Sequence, residues 1–141
     1  MKDIKELILI GGICMNDKIT ESEFQEIIRR RGNGEITFSQ FLEELFKRGI
    51  NEYEIEVATG QATYKGVHSE FKTDSQVSLV ISDKFNRNKV LEAISNISLP
   101  FLAFLKEIAE AGIVTYRVDI PEKKVTYIGI GEESIEEQLK I

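Results

Sequence analysis

The chain has 141 residues, of which 42% are hydrophobic and 30% are charged, and its formal net charge is −6. A chain of this length buries roughly two-thirds of its unfolded surface, so we expect one folded domain over residues 1–141. One cysteine excludes an internal disulfide, and one histidine excludes a multi-histidine metal site. The acidic balance argues against general nucleic-acid binding, and no apolar run approaches the roughly 20 residues of a membrane span.

Residues 1–13 have an ambiguous pattern: their apolar positions have helical spacing, although 7–10 would also suit a strand. The apolar run before Cys14 resembles a short lipoprotein signal. Acidic residues in its leader and bulky Ile13 before the cysteine argue against that interpretation. We therefore expect a cytoplasmic protein without a membrane partner, in which Cys14 is a small buried residue.

The chain contains an internal repeat. Adding 63 to the residue numbers aligns residues 22–66 with residues 85–129 without a gap. The aligned pairs of identical residues include Phe38 and Phe101, Phe41 and Phe104, Gly49 and Gly112, Tyr53 and Tyr116, Tyr64 and Tyr127, and Gly66 and Gly129. This self-similarity predicts two copies of one structural unit.

Each copy predicts two helices followed by a hairpin. Thr20 or Ser22 caps the first helix, which Gly32-Asn33-Gly34 ends, and residues 86–95 predict its counterpart. Gly49 and Gly112 follow the second helix of each copy, where a left-handed residue ends a helix. Those second helices carry an apolar stripe at Phe38, Phe41, Leu42, Leu45 and Phe46, and at Phe101, Phe104, Leu105, Ile108 and Ala109.

The hairpins are indicated by alternating apolar and polar residues. A two-residue turn at Thr59-Gly60 would pair Ile55 with Tyr64 and keep the apolar side chains on one face. Glu122 and Lys123 are unfavourable residues for a two-residue hairpin turn, which allows a longer loop in the second hairpin. Further strands are predicted at residues 69–71, 77–81 and 134–135.

Neither copy can bury its apolar sheet face and its helices alone. We therefore predict an α+β fold in which two tandem helix-helix-hairpin repeats share a mainly antiparallel sheet, with the helices packed on one face.

The predicted second copy also carries a family pattern. A phenylalanine-rich helix, Tyr-x-Val-Asp-Ile, Val-Thr-Tyr-x-Gly and an acidic tail follow one another at residues 104–112, 116–120, 125–129 and 131–136. In these motifs the chain resembles the YdfO/YbcV-like family of small uncharacterised bacterial and prophage proteins, some of which are labelled phage envelope proteins. The resemblance covers residues 20–136. It implies an α+β fold and a phage or prophage context, and it implies no catalytic residues.

Two sets of side chains are candidate ligand-binding sites. Three arginines at 29–31 lead into a glycine-rich loop, whose amides would bind phosphate together with guanidinium groups. Successive helical residues point about 100° apart, so at most two arginines converge, and these would be Arg30 and Arg31. Four tyrosines would line a seam between the copies: Tyr53, Tyr64, Tyr116 and Tyr127. The competing interpretation is a helix cap for the arginines and core packing for the tyrosines.

No catalytic or metal-binding motif stands out, and no cofactor is expected; His68 is interpreted as a surface residue. The favoured function is a cytoplasmic, non-enzymatic interaction module that forms a homo-oligomer or binds a protein partner. The alternative is a small-ligand-binding protein that sequesters a nucleotide-like anionic signal molecule, and an enzyme is the third interpretation. A cavity with convergent arginines and tyrosines would favour ligand binding, whereas an exposed apolar patch would favour a protein partner.

Overall fold

A computed structural model of the protein describes residues 19–96 and 98–140. The expectations for residues 1–13 and for Cys14 lie outside the described residues. Within the described part, four helices and six strands follow in the order α1 (Glu21–Gly32), α2 (Phe38–Lys47), β1 (Ile50–Glu56), β2 (Ala62–Gly66), β3 (Glu70–Lys72), α3 (Arg87–Ser95), α4 (Phe101–Glu110), β4 (Ile113–Asp119), β5 (Lys124–Gly129) and β6 (Ser134–Gln138).

The six strands form one sheet in the order β3-β2-β1-β4-β5-β6. β4 and β5 pair antiparallel, with Tyr116 opposite Tyr127 and Val118 opposite Val125. β6 extends the sheet antiparallel to β5, with Ile135 opposite Tyr127. The α+β class and the antiparallel sheet are therefore confirmed.

The helices begin and end where the sequence indicates. Thr20, rather than Ser22, caps α1: its hydroxyl accepts from the Glu23 amide at 3.1 Å, and the Glu23 carboxylate accepts from the Thr20 amide at 2.9 Å. This reciprocal capping box satisfies two amides that a helix start leaves unpaired. Gly49 and Gly112 have φ values of +92° and +86°, which confirms both as left-handed helix ends.

The first hairpin has a longer loop than the sequence predicts. The Glu56 amide donates to the Gln61 carbonyl at 2.9 Å, so residues 57–60 form the loop and the two-residue turn at Thr59-Gly60 is wrong. The pairing moves by two residues, which leaves every side chain on its expected face. In the second hairpin Asp119 lies opposite Lys124, and residues 120–123 form the loop.

The strand predicted at residues 77–81 is also wrong. These residues belong to no strand and join no ladder of the sheet. Their neighbours are loop residues rather than a strand, because Val77 and Leu79 donate amide hydrogen bonds to the carbonyls of Thr59 and Ala58, at 3.1 and 2.8 Å. A β-prone sequence does not form a ladder unless the facing backbone is a strand too.

The described chain divides into two compact units, residues 19–52 with 64–71, and residues 53–63 with 72–140. In the first unit α1 packs over the end of the hairpin. The Phe24 ring is fully buried and lies 4.9 Å from the Tyr64 ring and 4.6 Å from the Phe71 ring, centroid to centroid. Phe24 and Tyr64 belong to the buried core of the first unit, and the half-buried Phe71 ring packs against Phe24.

In the second unit α4 packs over β4 and β5. The Phe104 ring meets the Tyr116 and Tyr127 rings edge-on, at centroid distances of 6.0 and 6.3 Å. Leu105 and Ile108 on the same helix are fully buried. Helix α4 therefore buries its predicted stripe from Leu105 onward, and Phe104 is half-buried.

Candidate functional site

Arg29 is held by two carboxylates. Its guanidinium lies 2.7 Å from Glu26 Oε2 and 2.9 Å from Glu35 Oε2. Hydrogen bonding to Glu26, and then to Glu35, raises the pKa of Arg29 above its usual value, and the same bonds lower the pKa of each carboxyl. The positive charge of Arg29 is therefore balanced by one carboxylate of its own helix and one of the following loop.

Arg31 holds the loop between α1 and α2. Its Nη1 donates to the Ile36 carbonyl at 3.1 Å, and its guanidinium carbon lies 5.8 Å from the centroid of the Phe38 ring. This is the helix-end role that competes with ligand binding. Arg30 differs: its side chain is half-buried, and its guanidinium makes no hydrogen bond or ion pair within the described residues.

The loop amides after α1 are already bonded. The amides of Asn33, Gly34 and Glu35 donate to the carbonyls of Arg29, Arg31 and Arg30, at 3.0, 3.1 and 2.8 Å. A phosphate would need these amides to point outward, as they do in an anion-binding nest. The loop instead returns its amides to the last turn of the helix.

The four tyrosines are buried, with relative exposures of 6% for Tyr53, 7% for Tyr64, 8% for Tyr116 and 4% for Tyr127. Tyr64 lies in the core of the first unit, and the other three lie in the second. The Tyr116 and Tyr127 rings are 5.4 Å apart, centroid to centroid. The Tyr127 hydroxyl donates to Glu137 Oε1 at 2.9 Å.

Burial governs the chemistry of two of these hydroxyls. Desolvation raises the pKa of Tyr64, and desolvation followed by the charge of Glu137 raises the pKa of Tyr127. A neutral phenol in such a site is a poor acid and a poor nucleophile at ordinary pH. Both tyrosines therefore act as packing groups in the described structure.

An open cavity of about 430 Å³ lies beside the start of α1. Glu21, His68 and Glu70 are among its lining residues, and none of the proposed arginines or tyrosines is. Sequence reasoning did not place Glu21 near His68, because 47 positions separate them and no motif links them. The charges at this cavity are mainly acidic, which does not suit an anion.

Residues 19–96 and 98–140 contain neither a metal-binding cluster nor a membrane-spanning helix. No group of three or more histidine, cysteine, aspartate or glutamate side chains there is close enough to hold a metal ion. No helix in that part of the chain has the length and apolar character needed to cross a bilayer.

Helices α3 and α4 leave large apolar side chains exposed. Leu91 is 42% exposed, Phe101 42% and Leu102 43%. Lys89 Nζ lies 3.7 Å from Glu107 Oε1 and 3.4 Å from Glu110 Oε1, so the start of α3 lies beside the end of α4. The helical periodicity predicts that Phe101 belongs to the buried stripe. Periodicity shows which face of a helix is apolar, but it does not show how far along the helix the sheet covers that face.

Comparison with known proteins gives a family. The chain matches the family model described as "Protein of unknown function (DUF1398)" over residues 25–135, more than three-quarters of its length. No curated protein shows significant similarity to the sequence. The family match runs from α1 into β6 and so includes residues 25–66 of the first predicted copy and all of the second. The chain therefore belongs to the DUF1398 family of proteins of unknown function.

Proposed function

We propose that this protein is a non-enzymatic interaction module that binds a protein partner through the exposed surface of α3 and α4. The observation that carries the proposal is the exposure of Leu91, Phe101 and Leu102 on one packed helix pair. Single exposed apolar residues are common, but several large ones on one small surface mark an interaction site. Burying them against a partner removes apolar area from water, which favours association.

The surroundings of the two sets of candidate ligand residues also favour a protein partner over a small anion. Arg31 is engaged by the Ile36 carbonyl and the Phe38 ring, and the tyrosines pack in the cores of their units. The cavity beside α1 contains neither set. A small-ligand site brings its polar groups together in a cavity, and the candidate arginines and tyrosines share no cavity in the described structure. The exposed apolar surface therefore favours a protein partner.

The partner that fits this surface presents an apolar helix face or strand. Lys89, Glu107 and Glu110 lie at the end of the helix pair away from Phe101 and Leu102 and form their own ion pairs, which leaves those two apolar side chains for contact. A cytoplasmic location and a phage or prophage origin are part of the proposal. The resemblance to prophage proteins supports the origin.

The proposal also includes the tandem repeat, with both copies contributing to the sheet and the helices on one face. Helices α2 and α4 begin at Phe38 and Phe101, and β1 and β4 begin at Ile50 and Ile113, which keeps the 63-residue offset of the sequence. An experimental structure should superpose residues 38–66 on residues 101–129. Unrelated environments for Tyr53 and Tyr116 in that structure would contradict the repeat.

Site-specific photocrosslinking in the source cell tests the proposed surface. A photoreactive residue at position 102 should crosslink one defined protein, and the same residue at position 67 should not. Val67 is the matched control because it is 76% exposed and lies outside the helix pair. Calorimetry with the purified partner should then show binding that Phe101→Ser with Leu102→Ser abolishes and Val67→Ser preserves. Equal crosslinking at both positions, or binding that survives the double substitution, would rule out this surface.

A small anion remains the second candidate, and Arg30 is the observation that favours it. Its guanidinium makes no hydrogen bond within the described residues, although it lies at the end of a helix with two further arginines. The ligand would be a nucleotide-like phosphate bound by Arg30 and Arg31.

A further inference from the structure

Residues 73–82, here called the crossing segment, connect β3 to the approach to α3. The segment is bonded to its own unit along one side. Val77 and Leu79 donate their amides to the carbonyls of Thr59 and Ala58, at 3.1 and 2.8 Å. At its ends Thr73 donates to the Ala62 carbonyl and Ser82 to the Ala109 carbonyl, both at 2.9 Å.

The opposite side of the crossing segment is an unpaired backbone edge. In extended backbone, alternate residues direct their N–H and C=O groups to opposite sides. Ser78 and Val80 alternate with the bonded residues, and their backbone groups make no hydrogen bond within the described residues. Val80 is 89% exposed and Ser78 is exposed as well.

The sequence of this edge favours pairing with another strand. Residues 77–81 read Val-Ser-Leu-Val-Ile, which includes three β-branched aliphatic residues and no charge, proline or glycine. Natural proteins protect open edges with lysine, proline or a bulge, and none of these interrupts the five residues. A β-prone, uncharged edge of this kind is a template for intermolecular pairing.

The flanking charges select a second copy of the same chain as the partner. Antiparallel pairing centred on Leu79 sets the outward residue Ser78 opposite Val80 of the second copy. The same orientation brings the end of the segment that carries Asp74 towards the end that carries Lys84 in the second copy, once on each side of the two-fold axis. Neither Asp74 nor Lys84 forms an ion pair within the described residues. Parallel pairing would place like charges together.

We propose that the protein forms a homodimer in which the crossing segments of two copies pair antiparallel through Ser78 and Val80. The interface is isologous, because the same residues face each other across the axis. Four backbone hydrogen bonds form between the two copies, and the exposed Val80 side chains are covered. This surface is separate from the α3 and α4 side chains in the proposed function, so either proposal can fail without the other.

Sedimentation of the full chain over a range of concentrations measures the dimer. Val80→Pro removes one donor from each copy and, because the Val80 amide bonds to nothing in the described part of the monomer, leaves the fold intact. The dimer dissociation constant should rise about tenfold or more, since two hydrogen bonds are lost. Val67→Pro and the double variant Phe101→Ser with Leu102→Ser should leave that constant unchanged.

A charge swap tests the orientation. Asp74→Lys alone sets lysine near Lys84 of the second copy, and Lys84→Asp alone sets aspartate near Asp74, so each variant by itself should dimerise more weakly than the wild type. Mixing the two variants restores opposite charges at both positions and should restore the dimer. Circular dichroism confirms that each variant is folded. A wild type that stays monomeric throughout, a dimer that survives Val80→Pro, or a mixture no more dimeric than its components would overturn the proposal.

Discussion

Tyr127 on β5 donates its hydroxyl hydrogen bond to Glu137 on β6, at 2.9 Å, diagonally across the two strands. Glu137 lies opposite Val125, and Ile135 lies opposite Tyr127, so all four side chains share one face of the sheet. The buried phenol thus finds a charged acceptor at the last strand of the sheet. A hydroxyl buried without such a partner would destabilise the fold.

Alkaline pH should destabilise the protein through Tyr127. Its pKa is raised in the folded state, so its stabilising contribution is present below the unfolded-state pKa of about 10 and is lost as the pH rises above that value. Tyr127→Phe should lower the slope of the unfolding free energy against pH by about 1.4 kcal/mol per pH unit in that range. At neutral pH the variant should lose about 1 kcal/mol with the hydrogen bond. Urea denaturation from pH 8 to pH 11 measures both effects; identical alkaline slopes would contradict the assignment.

Gly112→Ala should destabilise the protein more than Gly34→Ala. Both glycines have positive φ, +86° and +75°, so alanine costs on the order of 1 kcal/mol at either position. At Gly112 a Cβ would also lie 2.7 Å from the Lys84 carbonyl oxygen, whereas at Gly34 nothing lies within 4 Å. Chemical denaturation should rank the losses accordingly. Equal losses would show that the contact with Lys84 relaxes without cost.

Thr20→Ala should remove the capping box of α1 and cost about 1 kcal/mol of unfolding free energy. Ser22→Ala is the matched control, because Ser22 is exposed within the helix and forms no cap. Alanine is also the better helix former there, so the control should be neutral or slightly stabilising. A larger loss from Ser22→Ala than from Thr20→Ala in urea denaturation would reverse the assignment.

Arg30→Ala with Arg31→Ala should abolish nucleotide binding if the protein takes an anion at this site. The melting temperature should change little, because neither guanidinium forms an ion pair within the described residues and Arg31 loses only a surface hydrogen bond and a ring contact. Calorimetric titration with a panel of nucleotides measures the affinity. Arg29→Ala is the control for net charge, since Arg29 is already paired with Glu26 and Glu35. If the wild type binds none of the nucleotides, Arg30 and Arg31 do not form an anion site and only stabilise the end of the helix.

Local physical chemistry explains the elements that sequence predicts well. The end of α2 follows from Gly49, because a left-handed residue stops a helix wherever it packs. The apolar face of β4 and β5 follows from alternation, because side chains on a strand alternate by geometry. The same alternation places Tyr116 and Tyr127 on the apolar face of their hairpin, and this can be read from the sequence without knowledge of the packing.

Tertiary contacts decided the remainder. Residues 77–81 have the composition of a strand, but their neighbours Ala58 and Thr59 form a loop, so the segment is bonded on one side and joins no ladder. Arg29, Arg30 and Arg31 are adjacent residues of one type, and contacts with Glu26, Glu35, Ile36 and Phe38 separate their roles. Sequence specifies what each segment favours locally. Which of those preferences is satisfied depends on the backbone groups and charged side chains that folding places next to each segment.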